Sequence, residues 1–336
     1  MNKKTVFGIF ILTAILIGIS IFSLCVGSSG IPLKRILWVI FKGKGSYEYS
    51  ILFDIRMPRI ILGFAAGGIL SLSGVILQGM FRNPLVEPYT LGISGGAALG
   101  ISLVIALKLT WILGALTLPF AGFLGAVLVL LFIYFFAVKK EIVNTQSLLL
   151  TGVMVSFVAS SLIMLIMAVC RAEDLHGIIF WIMGSLEEPD WMLIKILLIV
   201  SILGLGVSYL FATHLNAFAL GEDEAQHLGI NVQLTKKLLF LLASLLVGCC
   251  VALVGIIGFV GLVIPHFVRI FFSNDHKFLL IGSFLTGASF LILSDTLART
   301  VISSIELPVG VITGILGGSL FIYMLMKKQL SGFRRS

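Results

Sequence analysis

Apolar runs of about 20 residues recur along the whole chain, separated by short polar breaks. Each is long enough to cross a hydrocarbon core of about 30 Å as a helix. Taking the breaks as connections predicts ten spans, near residues 5–27, 57–81, 90–108, 112–138, 146–169, 191–212, 234–255, 258–271, 277–300 and 308–327. The eighth is too short to cross comfortably. It follows "GIIGFVG", whose Gly255, Gly258 and Gly261 predict a close turn or a re-entrant corner. The pattern predicts an all-α, polytopic membrane fold, one domain over residues 1–336, because no soluble stretch of useful size remains. The first run follows Lys3 and Lys4 and lacks a small-x-small cleavage pattern before Pro32, so it reads as a retained span.

The polar break "FRNPLVEPYTLGISGGAALG", Phe81 to Gly100, stands out among these connections. Pro84 and Pro88 forbid one continuous helix, and the polar groups between them are expected in a turn joining spans two and three. The glycines that follow sit at helix-packing spacing. Gly92, Gly96 and Gly100 repeat every fourth position, as do Gly310, Gly314 and Gly318, predicting smooth stripes on spans three and ten. Gly63, Gly67 and Ser71 make a similar stripe on span two, so a compact many-helix bundle is expected.

Composition agrees with the pattern: of 336 residues, 59% are hydrophobic and 11% charged, against about 25% charged in soluble domains. With an even number of spans both termini share a side, and the positive-inside tendency puts "MNKK" and "KKQLSGFRRS" in the cytoplasm of a cell with this chain in its inner membrane. Six basic residues run against that tendency. Lys34, Arg35, Lys42, Lys44, Arg56 and Arg59 all fall in the external segment between spans one and two, where something acidic can dock. Cys25, Cys170, Cys249 and Cys250 have no metal-type spacing and read as small hydrophobes, and the five histidines form no H-x-x-x-H pair.

The energy source of a transporter leaves marks in its sequence. No G-x-x-x-x-G-K-[ST] loop occurs, and "GKGS" at Gly43 has the wrong spacing for one. Ion-coupled carriers place titratable groups deep in their spans, whereas here Asp295 is the one obvious acid, with Arg299 a turn later as an expected i,i+4 partner. No catalytic triad, paired catalytic carboxylates or metal-ligand cluster can be assembled. A transport subunit energised from elsewhere is expected, not an enzyme, and no nucleic-acid partner is indicated.

Two blocks carry a family resemblance. "IRMPRIILGFAAGGILSLSGVILQGMFRNPLVEPYTLGISGGAALG", and then "LGEDEAQHLGINV", "ALVGIIGFVGLVIPHFVRI", "SDTLARTV" and "ELPVGVITGILGGSLFIYML", resemble the FecCD family of type II ABC importer permeases for iron-siderophores, haem and cobalamin. The resemblance covers most of residues 50 to 327 and implies a ten-span fold. It also implies partners: a second permease copy, identical or homologous, two ATP-binding cassette subunits that hold ATP and magnesium, and an extracytoplasmic substrate-binding protein. This chain itself is expected to hold no cofactor. Arg56, Arg59 and Arg299 match family arginines that meet acidic knobs on the binding protein; the alternative is that they anchor span ends at lipid headgroups. Leu220, Gly221, Glu222, Ala225, Leu228 and Gly229 lie in a polar helix near 220–229 that matches the family's coupling helix, with Glu222, Asp223 and Glu224 complementing its dipole. Thr145 and Gln146 match positions that narrow the cytoplasmic end of the path, although Gln146 departs from the small hydroxyl residues of the cobalamin permease and a plain loop remains open. The default cargo implied is a ferric siderophore.

Overall fold

The computed structural model describes residues 3–27, 30–42, 44–139, 142–143, 145–188, 190–302 and 306–333. Fifteen α-helices follow one another among these residues: α1 (Lys3–Cys25), α2 (Leu33–Lys42), α3 (Tyr47–Ser50), α4 (Met57–Phe81), α5 (Ile93–Ala106), α6 (Thr117–Ala137), α7 (Thr145–Val169), α8 (Ala172–Ile182), α9 (Trp191–Leu210), α10 (Ala212–Leu220), α11 (Glu222–His227), α12 (Val232–Val254), α13 (Val260–Phe271), α14 (His276–Thr300) and α15 (Val309–Phe333). A two-stranded ribbon, Val138–Lys139 against Ile142–Val143, is the one departure from helix and turn among them. Among the described residues seven helices are long and apolar enough to cross a membrane, and Ile93–Ala106, Val260–Phe271 and Val309–Met324 are shorter apolar helices.

The second expected span starts too late. A continuous helical stretch of 35 residues, Tyr47–Phe81, joins α3 to α4 through a π-helical turn over Ile51–Arg56. Pro58 explains the turn: it has no N–H to donate, and just before it the Met57 N–H bonds to Leu52 O, five residues back. Three helices were not expected from the sequence. The amphipathic α2 lies between the first two spans, α8 follows α7, and α10 precedes α11. The third and fourth expected spans are trimmed by 3-10 turns at Pro88–Leu91 and Gly114–Leu116.

α4 is the axis of the bundle, with 83% of its most apolar stretch buried, and it packs on α14, α12, α9 and α13. In lipid, apolar side chains gain little by leaving one oily phase for another, so close van der Waals fit holds helices together. Glycines supply that fit. Gly67 of α4 and Gly287 of α14 lie face to face, each where an added Cβ would run into the other's carbonyl, and Gly74 meets the carbonyl of Gly261 on α13 in the same way. Gly96 and Gly125 repeat the arrangement between α5 and α6, with Gly100 against Ala121.

Two glycine stripes need correction. Gly92 is not on a helix face with Gly96 and Gly100; it caps α5 in a left-handed conformation (φ 76°) and lies against Gly152 of α7. Of the three glycines of the α15 stripe only Gly310 is tightly enclosed, by the carbonyls of Met183 and Ile256, while Gly314 faces open space and Gly318 makes ordinary contact with Phe259; the other close approach on α15 is that of Gly317 to Phe259. Every fourth residue shares a helix face, but the neighbours along that face differ.

The chain leaves helix between α12 and α13, inside the bundle. Its exposed peptide groups need partners, because hydrocarbon supplies none. The polar break after α4 provides them. The Tyr89 hydroxyl donates to Ile257 O (2.8 Å) and accepts from Ile257 N (3.0 Å), and Glu87 Oε1 accepts from Phe259 N at 2.6 Å. Gln78 adds donations to Gly261 O (3.1 Å) and Leu262 O (3.3 Å) at the start of α13. Burial pushes the Glu87 carboxyl above its ordinary range, and the bond from the Phe259 N–H opposes that shift.

Replacing Tyr89 with Phe keeps the volume and orphans two buried peptide groups at about 1–3 kcal/mol each. The variant should unfold in detergent with a clearly lowered Tm, destabilised by roughly 2–4 kcal/mol. An unchanged Tm would show that Tyr89 does not hold the break.

Candidate functional site

Polar side chains gather at two ends of the bundle. At one end, α1, the π turn before α4, and α14 converge on three arginines. All three are buried, with Arg56 2%, Arg59 6% and Arg299 8% exposed. Arg56 donates to Leu24 O at the end of α1. Arg59 donates to Glu306 Oε2 at 2.6 Å and lies 3.4 Å from Glu187 and 3.9 Å from the buried Asp295. Arg299 forms the expected i,i+4 ion pair with Asp295 at 2.9 Å and donates to Ser23 Oγ on α1 at 3.0 Å.

Arg56 and Arg59, expected to meet acidic groups of a partner or lipid headgroups, are thus not displayed on the surface in this structure. The π turn and the end of α1 enclose Arg56, and Arg59 is held by carboxylates. Those carboxylates form the accessible surface: the side chains of Glu187 and Glu306 are 70% and 57% exposed. Without Asp295 between them, Arg59 and Arg299 would be buried cations with one acid fewer to neutralise them.

At the opposite end, the polar segment after α10 folds as expected but shorter. α11 spans six residues, Glu222–His227, between Gly221 (φ 141°) and Gly229 (φ 81°), two backbone conformations that favour glycine. Ala225 is fully buried on the inner face of α11, whereas Leu220 and Leu228 on either side are 68% and 63% exposed. Two exposed leucines beside three acids make a mixed surface of the kind that seats in a groove.

Lys236 connects this helix to the rest of the bundle. It lies on α12 with its side chain 3% exposed, and its Nζ pairs with Glu222 Oε2 at 2.6 Å and donates to Thr145 Oγ1 at 3.2 Å. The short polar helix and the first residue of α7 thus share one buried ammonium. Gln146, next to Thr145, is exposed and takes no part. Nothing in the local sequence marked Lys236, since Lys236 and Lys237 look alike at a span entrance; only the fold turns the first inward.

Between the two ends, a cavity of about 420 Å³ opens among α5, α7 and α8, with Ser94, Ser156, Ser160, Met164 and Met167 on its walls and Tyr89 at its edge. Met164 is 61% exposed although it lies on a long apolar helix. Serines spaced among apolar side chains at helical intervals had no signal separating them from packing positions.

A bundle of apolar helices around a broken pair, with a short polar helix between glycine hinges at one end, defines a polytopic transport permease. The chain belongs to the FecCD transport family, whose pattern matches residues 14–327. It is 36% identical over 334 residues to the uncharacterised ABC transporter permease YvrB of Bacillus subtilis, covering 96% of this chain and 93% of that one. It is 37% identical to the hemin transport system permease HmuU of Yersinia pestis, with 84% of each chain covered. Its fold superposes on a solved metal-chelate type ABC transporter in an inward-facing conformation with TM-score 0.84 and 30% identity, over 96% of this chain and 99% of the other. The chain is thus an ABC importer permease, a multi-pass membrane protein and a transport subunit.

The Lys236 bridge predicts an asymmetric double-mutant cycle. Glu222→Gln orphans a buried ammonium, whereas Lys236→Met leaves a carboxylate that is 40% exposed and can be hydrated. Glu222→Gln should therefore lower stability more, by roughly 1–3 kcal/mol, and the double variant should resemble Lys236→Met alone. Thermal melts of the four proteins test this, and strictly additive losses would contradict it.

Proposed function

We propose that this chain is the translocating subunit of an ATP-driven importer for an iron chelate, by default a ferric siderophore, with haem and cobalamin as the neighbouring alternatives. Relatives named for hemin and cobalamin import and a structural neighbour of metal-chelate type support this class of cargo. The membrane is the cytoplasmic one, both termini are cytoplasmic, and the α11 end faces the cytoplasm. Two copies of the chain enclose the path. Two ATPase subunits, carrying ATP and magnesium, seat against α11, and this chain holds no cofactor of its own. A substrate-binding protein docks at the Arg59 end.

The observation that carries the reading is α11 itself. A six-residue helix with a buried alanine on its inner face, exposed leucines at both shoulders and glycine hinges at both ends is built to be gripped and moved as a unit. Its displacement acts on Lys236, which holds α12 and the Thr145 end of α7 in one contact. α7 also walls the cavity beside α5 and α8. Hydrolysis on the paired ATPases thereby tilts the helices lining the path and opens one side at a time. Thr145 and Gln146 narrow the cytoplasmic mouth.

At the outer end, Arg59 is the docking arginine, reached through Glu187 and Glu306, whose places acidic groups of the binding protein take. Arg56 and Arg299 support it from behind by fixing α1 to α4 and α14.

Proteoliposomes holding this chain, its ATPase and its loaded binding protein test the proposal. ATP-dependent uptake of ferric siderophore is expected, and deleting Ala225 to Leu228 should leave membrane insertion intact and abolish uptake. Normal uptake by the deletion variant would refute the role of α11. Uptake by the chain alone under an ion gradient would refute the ATP-driven reading altogether.

A further inference from the structure

A signal between the two ends of this bundle has to travel the length of its spans, through elements stiff enough to carry it. The pair formed by α4 and α14 meets that need. α14 holds 25 residues without a proline, about 37 Å of continuous helix. The stripe of small residues on α4 faces it. Gly63 lies against Ile292, Gly67 and Ser71 against Gly287, and the ring of Phe284 is seated on Gly68. Helices interlocked at this closeness cannot slide past one another without opening voids, so the two move together.

The same pair is gripped at both ends. At the outer end Asp295 of α14 pairs with Arg299 at 2.9 Å and lies 3.9 Å from Arg59 of α4. At the inner end two consecutive residues of α10 take hold. Leu215, fully buried, packs at Gly79 of α4, where an added Cβ would come within 2.9 Å of it and 3.1 Å of the His276 ring. Asn216 holds the start of α14. Its Oδ1 accepts from His276 N at 2.9 Å and lies 2.8 Å from His276 Nδ1, while its Nδ2 donates to Asp275 Oδ1 at 2.8 Å. Asp275 is the N-cap of α14, its Oδ1 also accepting from Lys277 N at 3.0 Å. Hydrogen bonds weaken steeply when misaligned, so three on one amide fix orientation as well as distance, which packing at Gly79 alone does not.

We propose that Asn216 is a positioning residue that joins the α4–α14 pair to α10 and so to α11, letting the state of the Arg59 end be read at the helix that seats on the ATPase. This role presupposes the ATP-driven importer and adds a second connection to it. Lys236 ties α11 to α12 and α7, on the side of the cavity, whereas Asn216 ties α10 to the helices that carry the docking network. A partner that displaces Glu187 and Glu306 shifts Arg59 and with it Asp295. α14 carries the shift to His276, and Asn216 passes it to α10, from which α11 hangs by Gly221.

The test uses the complete complex with its ATPase and loaded binding protein in proteoliposomes at pH 8, above the ordinary imidazole pKa of about 6.5. Three forms are compared: the unmodified chain, Asn216→Asp, and Asn216→Asp combined with Asp275→Asn. The single substitution keeps shape and acceptor but sets two carboxylates against each other. The combination restores a donor and an acceptor in exchanged order, and asparagine caps a helix as well as aspartate. Basal hydrolysis, and affinity for the binding protein without nucleotide, should be the same in all three, because the α11 surface and the Arg59 end are untouched. Stimulation of hydrolysis by the binding protein should fall at least about fivefold in Asn216→Asp, the lower end of typical coupling between sites, and return in the combined variant. Undiminished stimulation in Asn216→Asp would overturn the proposal. So would a loss as complete in the combined variant, or a fall in basal hydrolysis equal to that in stimulated hydrolysis, since either marks a merely structural effect. Hydrolysis by the unmodified complex that ignores the binding protein would overturn this role alone, whereas a complex without hydrolysis would refute the ATP-driven importer beneath it.

Discussion

An unpaired peptide group in hydrocarbon costs several kcal/mol, and this fold places one stretch of non-helical backbone, between α12 and α13, inside its bundle. That stretch is possible because Glu87 and Tyr89 reach it from the connection between α4 and α5. The consequences spread outward. The connection must be polar and bent, so prolines bound it; it must approach closely, so Gly261 meets both Leu70 O and Pro88, and Gly74 meets Gly261. α13 can then be short, and Phe259 can start it in a left-handed conformation (φ 69°). The same region carries Gln78, which links the start of α13 to Arg269 near its end.

The two ends of the bundle manage charge differently. At the Arg59 end, buried cations are matched by buried and exposed acids in one network, so the helix ends are locked and the accessible charge is negative. At the α11 end, a single buried lysine holds a six-residue helix by one ion pair and one hydroxyl. Locked helix ends suit a surface against which a partner presses. A helix on two glycine hinges, seated on one buried alanine and one ion pair, suits a part that moves. The difference follows from where side chains are solvated and does not depend on the cargo.

Much of this was legible in the sequence, and the failures have physical reasons. Helices occur over each of the apolar runs, because a run of about 20 apolar residues has few alternatives in lipid. The Asp295 and Arg299 pair and the polar helix at Glu222 follow from local spacing. The burial of Arg56 and Arg59 is not legible locally, because it depends on Leu24 of α1, 32 residues from Arg56, and on Glu306, 247 residues from Arg59. The α15 glycines looked like those of α5 for the same reason. Lys236 and the polar break's partner at residues 257–259 are pairings across the fold, and one sequence carries no record of them. α8 and α10 have too few apolar residues to read as spans, so nothing in the hydrophobic pattern separates them from a connection.

Hydrogen exchange at the α12–α13 break, measured on the full-length protein in nanodiscs, addresses the central constraint most directly. If Glu87 and Tyr89 satisfy this backbone, the amides of Ile257 and Phe259 should be protected to a degree comparable with the middle of α12. Exchange at the rate of an open loop, with α12 still protected, would contradict the account.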